Sequence, residues 1–300
     1  MNPLWLLLIV PVVIAAGFAV GFYRRYLRQT YVQLAPGIHA AIGGGGNSLL
    51  IEDGGEALLL DTKFPPCDRA LRRWLRRHCR SPIRAVVNTH YHYDHTWGNT
   101  LYAGAEIVAH ERTPSLMLER ERGYWGNHEE ALPRELVGDG GRTLHVGAID
   151  VELRYPGIAH THGDLYAVLR AYGIVATGDL LFNGYYPYLD TGDGGAWPPG
   201  MCAGLRQLAR DYPKATFVPG HGPVCRATEL ERAADYLAWL WEEVRRARAG
   251  GLSERATRRR LDFGRFGLAI LPVAFRHGRF VWATARSNVK WCYELAGGTP

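Results

Sequence analysis

The stretch THYHYDHTWGN, residues 89–99, decides how the rest of the chain is interpreted. It holds three histidines and one aspartate within six positions, namely His90, His92, Asp94 and His95. It directly follows IRAVVN (83–88), an apolar run that is typical of a buried strand. Crowded imidazole and carboxylate groups are costly to desolvate unless they bind something, and they are side chains that zinc prefers. The stretch therefore predicts part of a metal site.

Three more candidate ligands lie further along the chain, each close to a predicted strand. They are His160 in AHTHGDL, Asp179 in VATGD and His221 in FVPGH. If these strands point the same way, their ends meet at one edge of the fold. Seven ligands are too many for one tetrahedral zinc ion, but they suit two ions that share a bridging ligand.

Strands and helices alternate along both halves of the sequence, which indicates an α/β sandwich rather than separate α and β domains. Strands are predicted within 34–61 and over 83–88, 105–109, 148–154, 165–170, 173–179 and 215–220. Helices are predicted over 67–80, 113–121, 201–211, from about 228 to 250, and over 282–296. Thr228 and Glu231 are expected to form the capping box of the long helix.

The order of these motifs resembles the metallo-β-lactamase superfamily over about residues 30–225. The motifs that carry the resemblance are H-x-H-x-D-H (90–95), H-T-x-G-D (160–164), Gly-Asp (178–179) and P-G-H-G (219–222), together with NSLLIEDGG (47–55) and LLLDT (58–62). The resemblance implies a four-layer αββα sandwich formed by residues 30–225. Residues 226–300 would then be a C-terminal helical extension that packs on the sandwich.

The resemblance also implies roles for the individual ligands. His90, His92 and His160 would hold one zinc ion, whereas Asp94, His95 and His221 would hold a second. Asp179 would bridge the two ions. The pattern H-T-x-G favours His160 over its neighbour His162, and Asp61 occupies an acidic position that the family places beneath the metal loop.

The activity that follows from the resemblance is that of a dinuclear zinc hydrolase acting on a small-molecule substrate. A metal-bridging hydroxide would cleave an ester, thioester, lactone or amide bond, with Asp94 as the catalytic residue that orients the water and accepts its proton. A bridging aspartate resembles the thioesterase, lactonase and phosphodiesterase branches, because the β-lactamases generally lack one. Tyr185, Tyr186 and Tyr188 lie in NGYYPYLD (183–190), where they would either donate to a developing oxyanion or pack the loop.

Several alternatives remain open at the level of sequence. The loop 183–190 is also similar to a subgroup of quinoprotein-associated zinc metallohydrolases. An iron-dependent persulfide dioxygenase belongs to the same superfamily, and metal identity distinguishes it from a zinc hydrolase. A phosphodiesterase and a non-catalytic binding or maturation protein are the other candidates, and metal-dependent turnover would test the last of these.

The N-terminus contains an uncharged run of 19 residues, LWLLLIVPVVIAAGFAVGF (4–22). A helix of this length spans about 28 Å, close to the hydrocarbon core of a bilayer. Positive charges follow the run at Arg24, Arg25 and Arg28, so residues 1–29 are predicted to form a transmembrane anchor with the catalytic domain in the cytoplasm. Cleavage of a signal sequence after Gly21, giving a secreted or periplasmic protein, is the alternative.

The charge and the cysteine content of the chain argue against several kinds of partner and binding site. The net charge is +6, but only Lys63, Lys214 and Lys290 of the 35 basic residues are lysines. The arginine-rich helix 67–80 is expected to be a solvated face, with contact to anionic lipid as the alternative. No nucleic-acid partner is expected, because the chain lacks a base-stacking module. Five dispersed cysteines without CxxC spacing argue against both a disulfide framework and a thiolate zinc site.

Overall fold

A computed structural model describes residues 27–189, 195–276 and 279–297, together with residues 12, 13, 17, 20, 21 and 23. The apolar run 4–22 lies mostly outside these residues, so the predicted anchor is outside what the structure describes. Among the described residues, no helix is long and apolar enough to cross a membrane.

The first sheet has seven strands in sequential order. They are β1 (Thr30–Ala35), β2 (Ile38–Ile42), β3 (Ser48–Asp53), β4 (Glu56–Leu60), β5 (Ile83–Val87), β6 (Glu106–His110) and β7 (Glu135–Val137). The strands β1 to β4 pair antiparallel, whereas β4 to β7 pair parallel. The parallel half places the loops after β4 and β5 side by side.

The second sheet has five strands in the order β12-β11-β10-β9-β8. They are β8 (Arg142–Val146), β9 (Ile149–Arg154), β10 (Tyr166–Leu169), β11 (Ile174–Phe182) and β12 (Thr216–His221). Only β11 and β12 pair parallel, and their register shifts on both sides of Gly178. A separate hairpin near the C-terminus pairs β13 (Leu271–Arg276) with β14 (Arg279–Ala283).

Eight α-helices occur within the described ranges. They are α1 (Cys67–His78), α2 (Tyr93–Thr96), α3 (Thr113–Arg120), α4 (Arg122–Trp125), α5 (Pro198–Asp211), α6 (Ala227–Ala249), α7 (Glu254–Arg260) and α8 (Ala285–Leu295). The sequence places an apolar stripe on α1, and its buried members Leu71 and Leu75 pack on the first sheet. The helices α5, α6 and α8 cover the outer face of the second sheet.

The two sheets pack face to face around a shared apolar layer. In β3, Leu49 and Ile51 point into this inner layer, whereas Leu50 between them points to the outer helices. This alternation is the period of two that a strand imposes on its side chains. Inner residues of the second sheet, such as Val151 and Ile174, complete the layer. The arrangement is a four-layer αββα sandwich, which confirms the fold predicted from the sequence.

One local prediction about the long helix was wrong. The N-cap of helix α6 is Arg226, two residues before the Thr228 that was expected to cap it. The Glu229 carboxylate accepts a hydrogen bond from the Arg226 backbone N–H at 3.0 Å, so Glu229 rather than Glu231 closes the cap. Thr228 lies inside the first turn, where its hydroxyl donates to the same carboxylate.

Candidate metal centre

The parallel strand pairs bring the predicted ligands to one edge of the sandwich. The segment 88–97 follows β5, next to Asp61 at the end of β4. Asp179 lies within β11, and His221 is the last residue of the adjacent β12. His160 comes from the connection between β9 and β10. All seven predicted ligands are buried and lie together at this edge.

The first ligand group consists of three imidazoles whose nitrogens converge. His92 Nδ1 lies 2.9 Å from His90 Nε2 and 3.0 Å from His160 Nε2. The opposite nitrogen of the His90 ring faces the Thr89 hydroxyl at 3.1 Å, which fixes the orientation of the ring. His160, and not the exposed His162, belongs to this group.

The second ligand group contains Asp94, His95 and His221. His221 Nε2 lies 3.3 Å from Asp94 Oδ2, and His95 Nε2 lies 3.9 Å from the same oxygen. Behind the group, His95 Nδ1 donates to the Asp61 carboxylate at 2.7 Å. This bond leaves Nε2 of His95 as the nitrogen that faces the centre. Asp61 therefore lies behind the loop that carries the histidines, where the family resemblance implied an acidic residue.

Asp179 lies between the two groups and faces histidines of both. Its Oδ2 is 3.4 Å from His160 Nε2 and 3.5 Å from His221 Nε2, while its Oδ1 is 3.2 Å from His95 Nε2. The distance from Oδ2 to His90 Nε2 is 3.7 Å. One carboxylate is thus within reach of ligands on both sides, which is the position that a bridging ligand requires.

These residues fit a pair of divalent cations. Tetrahedral ligands at about 2.0–2.1 Å from zinc are about 3.3 Å from one another, close to the separations found here. His95 Nε2 and Asp179 Oδ1 are both buried and make no hydrogen bond among the described residues, although they face each other. Such orphaned polar atoms are costly, and a shared cation would remove the cost.

The electrostatics of the metal-free centre divide the histidines into two kinds. Burial lowers the pKa of His90 well below its ordinary value and lowers that of His160 to about 4. Burial also opposes charge on His95 and His221, but the Asp179 carboxylate outweighs it and raises the pKa of His221 to about 9. The pKa of His95 is likewise raised well above the ordinary value by Asp179 and Asp61.

Asp179 itself remains ionised in this environment. Burial would raise its pKa, but His221, His95 and His90 hold the pKa well below the ordinary value. Space for the carboxylate comes from glycine, because a Cβ on Gly220 would overlap Asp179 Oδ1. Gly178 has φ +51°, and a Cβ there would lie 2.7 Å from Thr89 Cβ. Glycine at these two positions lets the second sheet approach the loop that carries the histidines.

Two further residues support the centre, although the sequence assigned no role to either of them. Asp164 accepts hydrogen bonds from the backbone N–H groups of His160 and Thr161, at 2.7 and 2.8 Å, and so shapes the loop that carries His160. Burial raises the pKa of Asp164 to about 7. Lys63 is fully buried, with its ammonium on carbonyls of residues 41–46, and no pattern in the sequence marks a single lysine as buried.

The three tyrosines of the loop after β11 differ in their positions. The Tyr188 ring lies 5.5 Å from the His92 ring and 5.1 Å from the Trp291 ring, so it joins the centre to α8. Tyr186 packs against Tyr236 on the other side of the loop. Tyr185 is half-buried. Residues 190–194, which continue this loop, lie outside the described ranges.

Known proteins similar to this chain include one with a stated enzymatic activity. The alpha subunit of 2,4-dinitroanisole O-demethylase from Nocardioides sp. (strain JS1661) is 27% identical over 197 residues, which cover 64% of this chain. The match spans 56% of the relative, so this chain corresponds to just over half of that protein's length.

Two solved structures share the fold. A metallo-beta-lactamase from Pontibacter korlensis superposes with a TM-score of 0.58 at 20% identity, covering 70% of this chain and 99% of that one. A stereoselective inverting sec-alkylsulfatase from Pseudomonas sp. gives a TM-score of 0.70 at 15% identity, covering 89% of this chain and 50% of that one. At these identities the likeness shows the fold alone.

The family is established by the sequence match rather than by these superpositions. Residues 41–221, well over half of the chain, match the metallo-beta-lactamase superfamily. The matched range begins in β2 and ends at His221, so it contains every candidate ligand described above. The buried histidines and aspartates are the kind of metal-binding group that this fold uses. The chain belongs to the metallo-beta-lactamase superfamily.

Proposed function

We propose that this protein is a dinuclear zinc hydrolase that cleaves an ester, thioester, lactone or amide bond of a small-molecule substrate. The observation that carries the proposal is the position of Asp179 between two complete ligand groups. A single ion would need only one of these groups. The second group would then be a costly set of buried polar side chains without a role.

Zinc is the metal that the donor set favours. Five imidazoles and two carboxylates suit a borderline metal better than magnesium or calcium, which prefer oxygen ligands. His90, His92 and His160 would hold one ion, Asp94, His95 and His221 the other, and Asp179 both. The three buried carboxylates of Asp61, Asp94 and Asp179 offset much of the charge that two such ions bring.

The surrounding residues would position the reactants. Bound here, two zinc ions supply a water of lowered pKa and a Lewis acid for the carbonyl oxygen. Asp94 faces the centre from the second group, where its carboxylate can orient the attacking water and hold its proton. Asp61 keeps the His95 ring fixed through the bond to Nδ1. Tyr188, which lies beside His92 and packs against Trp291, offers an aromatic surface for the organic part of the substrate.

Two further substrate classes come from the similar proteins. The name of the Nocardioides relative states O-demethylation of 2,4-dinitroanisole, and that of the Pseudomonas protein states sulfatase activity on secondary alkyl substrates. Both are candidates for the same centre, so an aryl methyl ether and a secondary alkyl sulfate belong in a substrate panel. Phosphodiesters belong there too, because two metals can clamp an in-line displacement.

The experiment that tests the proposal combines metal content with turnover. Purified protein should contain about two zinc ions per chain and should hydrolyse thioesters, activated esters or lactones. The value of kcat/KM is compared across these classes, β-lactams, phosphodiesters and the two substrates above, with His92→Ala as the blank. Efficient β-lactam turnover with inert acyl substrates would contradict the proposed bond class. One tightly bound iron with persulfide oxidation would replace the hydrolase by a dioxygenase, and metal binding without any turnover would favour a binding or maturation protein.

We also propose that residues 4–22 anchor the protein in a membrane with the catalytic domain on the cytoplasmic side. The support is the uncharged run followed by arginines at 24, 25 and 28. A reporter fused to the C-terminus should be active in the cytoplasm, and the chain should sediment with membranes. A mature N-terminus at Phe22 would show cleavage instead.

A further inference from the structure

Lys63 is the residue whose environment the proposed function leaves unexplained. Its side chain is fully buried, and its Nζ donates to three main-chain carbonyls: Ala41 O at 3.1 Å, Gly43 O at 2.7 Å and Gly46 O at 2.6 Å. An ammonium group has three donors and no acceptor, so this arrangement satisfies it completely. Burying a charged group costs free energy unless hydrogen bonds replace its hydration. The three carbonyls provide those bonds for the Lys63 ammonium.

The backbone around Lys63 is shaped to deliver the side chain to this place. Asp61 and Lys63 have φ values of +56° and +65°, in the left-handed region that residues other than glycine seldom adopt. The Lys63 carbonyl accepts a hydrogen bond from Gly98 N–H at 2.9 Å, which secures the turn. Strain of this kind persists where surrounding structure imposes it, and it clusters at functional sites.

Two of the three carbonyls belong to the glycine loop, which we define as residues 43–46 between β2 and β3, and the third, that of Ala41, lies in β2 just before it. This loop lies directly over the second ligand group. Gly46 N–H donates to the Asp94 carbonyl at 3.3 Å, and a Cβ on Gly46 would overlap the His95 ring at its Nε2 edge. A Cβ on Gly45 would lie 3.1 Å from Asp94 Cβ. The position of the loop therefore limits where Asp94 and His95 can lie.

The loop is secured from the other side by Asn47. The Asn47 amide donates to Pro219 O and Gly222 O, both at 2.8 Å, and these residues flank His221. The glycine loop thus connects the first sheet to the strand end that carries the third ligand of the second group. Asn47 secures one end of the connection, and the Lys63 ammonium secures the rest of the loop.

We propose that Lys63 is a positioning residue whose ammonium takes the place of a bound monovalent cation. Coordinated by the three carbonyls, the ammonium holds the glycine loop against the second ligand group. The inference rests on the proposed metal centre. Without the charge, three carbonyls would point at one another in a buried space, and the loop would move to hydrate them. Asp94 and His95 would then lose the surface that holds them in place for the second ion.

The test uses two substitutions that differ in the space they leave. Lys63→Met fills the volume of the lysine side chain but removes its charge. Lys63→Ala instead leaves room for a free cation beside the same three carbonyls. Zinc affinity is measured by chelator competition, with and without ammonium or potassium. We expect both variants to weaken one of the two zinc ions about 10- to 100-fold, as loss of a group supporting a ligand does. Ammonium and potassium should restore binding in Lys63→Ala but not in Lys63→Met.

Two controls separate this role from general destabilisation. Lys214→Met removes one positive charge from the surface and should change neither zinc ion. Leu240→Ala opens a cavity in the core cluster beneath α6, far along the chain from the loop, and should lower stability without a selective loss of the second ion. Hydrogen exchange of the Gly43–Gly46 amides in metal-free protein gives a readout independent of zinc, and it should accelerate in both Lys63 variants.

The outcomes are distinguishable from those of the proposed function. A wild-type protein with two zinc ions and no turnover would contradict the hydrolase and leave the role of Lys63 standing. Unchanged zinc affinity and unchanged loop exchange in both variants would overturn the inference. A loss of zinc affinity that equals the loss in Leu240→Ala, and that added ammonium or potassium does not restore, would also overturn the inference. A chain that remains insoluble even with ammonium would also overturn it, because Lys63 would then serve the whole fold.

Discussion

Among the described residues, the Asp179 carboxylate faces histidines of both ligand groups, so in the proposed dinuclear centre it is the ligand that the two ions would share. Replacement by asparagine keeps the shape of the side chain and removes the negative charge. We expect Asp179→Asn to retain at most about one zinc ion per chain and to lose at least about 100-fold in kcat/KM. Metal analysis after dialysis measures the first effect. Asp150→Asn, at an exposed surface pair with His145, is the matched control. Two tightly bound ions in the Asp179 variant would contradict a bridging role.

The raised pKa values of His95 and His221 predict proton release when metal binds. In the metal-free protein, protonated His221 stabilises the fold below the ordinary histidine pKa, and this contribution is lost as the pH rises through about 9. Zinc needs the unprotonated ring, so binding at pH 7 must displace protons, and affinity must fall as the pH is lowered. Calorimetry in buffers of different ionisation enthalpy should give about one to two protons released. No proton release at pH 7 would contradict the predicted protonation.

Gly220 provides a further test of how closely the two sheets approach each other. A Cβ at this position would overlap Asp179 Oδ1 and would lie 2.7 Å from the Gly178 carbonyl carbon. We therefore expect Gly220→Ala to displace Asp179 and to lower zinc affinity about tenfold or more. Gly104→Ala is the control, because nothing lies within 4 Å of the added atom. Equal zinc affinity in the two variants would mean that β12 can move aside without cost to the centre.

At the level of single residues, the sequence pointed to the candidate ligands that the structure brings together, but not to the residues that support them. The candidate ligands lie in or after predicted apolar strands, although β11 continues three residues beyond Asp179, and a cluster such as 90–95 is visible by its density alone. Lys63 gives no such signal, because its burial depends on carbonyls of the loop 43–46 that only the folded chain brings to it. A candidate metal ligand can be recognised by its residue type. Every residue has a backbone carbonyl, so the sequence does not show which carbonyls will accept a hydrogen bond from a buried lysine.

Strands with a nearly continuous apolar sequence were predicted, whereas strands that mix apolar and polar residues were missed. The strands β3, β4 and β11 are nearly continuous apolar runs, buried on both faces by helices and by the other sheet, and β5 is buried over its last two residues. The strands β1, β7 and β8 were missed, because they lie at sheet edges and carry several exposed residues. Their pairing depends on a neighbouring strand rather than on their own composition.

The capping interaction at the start of α6 should make a measurable contribution to stability. The Glu229 carboxylate accepts hydrogen bonds from Arg226 N–H and from the Thr228 hydroxyl, both at 3.0 Å. Glu229→Ala removes both bonds. It should destabilise the fold by about 1 kcal/mol, which lowers Tm by about 2–4 °C. Glu231→Ala, the exposed residue that the sequence suggested for the cap, should change Tm by much less. Thermal unfolding of the two variants compares the caps directly, and a larger effect of Glu231→Ala would restore the first interpretation.

On the scale of the whole molecule, the centre lies between two halves that each supply part of it. The first half gives His90, His92, Asp94 and His95, and the second gives His160, Asp179 and His221. The family match ends at residue 221, yet the chain continues through α6, α7 and α8. Of these helices, α6 and α8 pack on the second sheet, and α8 reaches the loop beside the centre through Asn288 and Trp291.

Contacts of α8 therefore make a prediction that distinguishes substrate binding from metal binding. Asn288 is fully buried, donates to Pro187 O at 2.7 Å and accepts from the Tyr236 hydroxyl at 2.7 Å. Asn288→Ala leaves both partners without their bond, which should cost about 1–3 kcal/mol of stability. It also releases the loop that carries Tyr188.

We expect Asn288→Ala to raise KM for the preferred substrate about tenfold while zinc content remains at that of the wild type, because no ligand is attached to this loop. Asn127→Ala, an exposed asparagine on the opposite outer layer, is the matched control and should change neither quantity. The measurement is KM and kcat at saturating zinc, alongside metal analysis of the same samples. Unchanged kinetics would show that the C-terminal helices only stabilise the sandwich. A loss of zinc with the kinetic defect would instead mean that α8 supports the metal ligands themselves, through Tyr188 and His92.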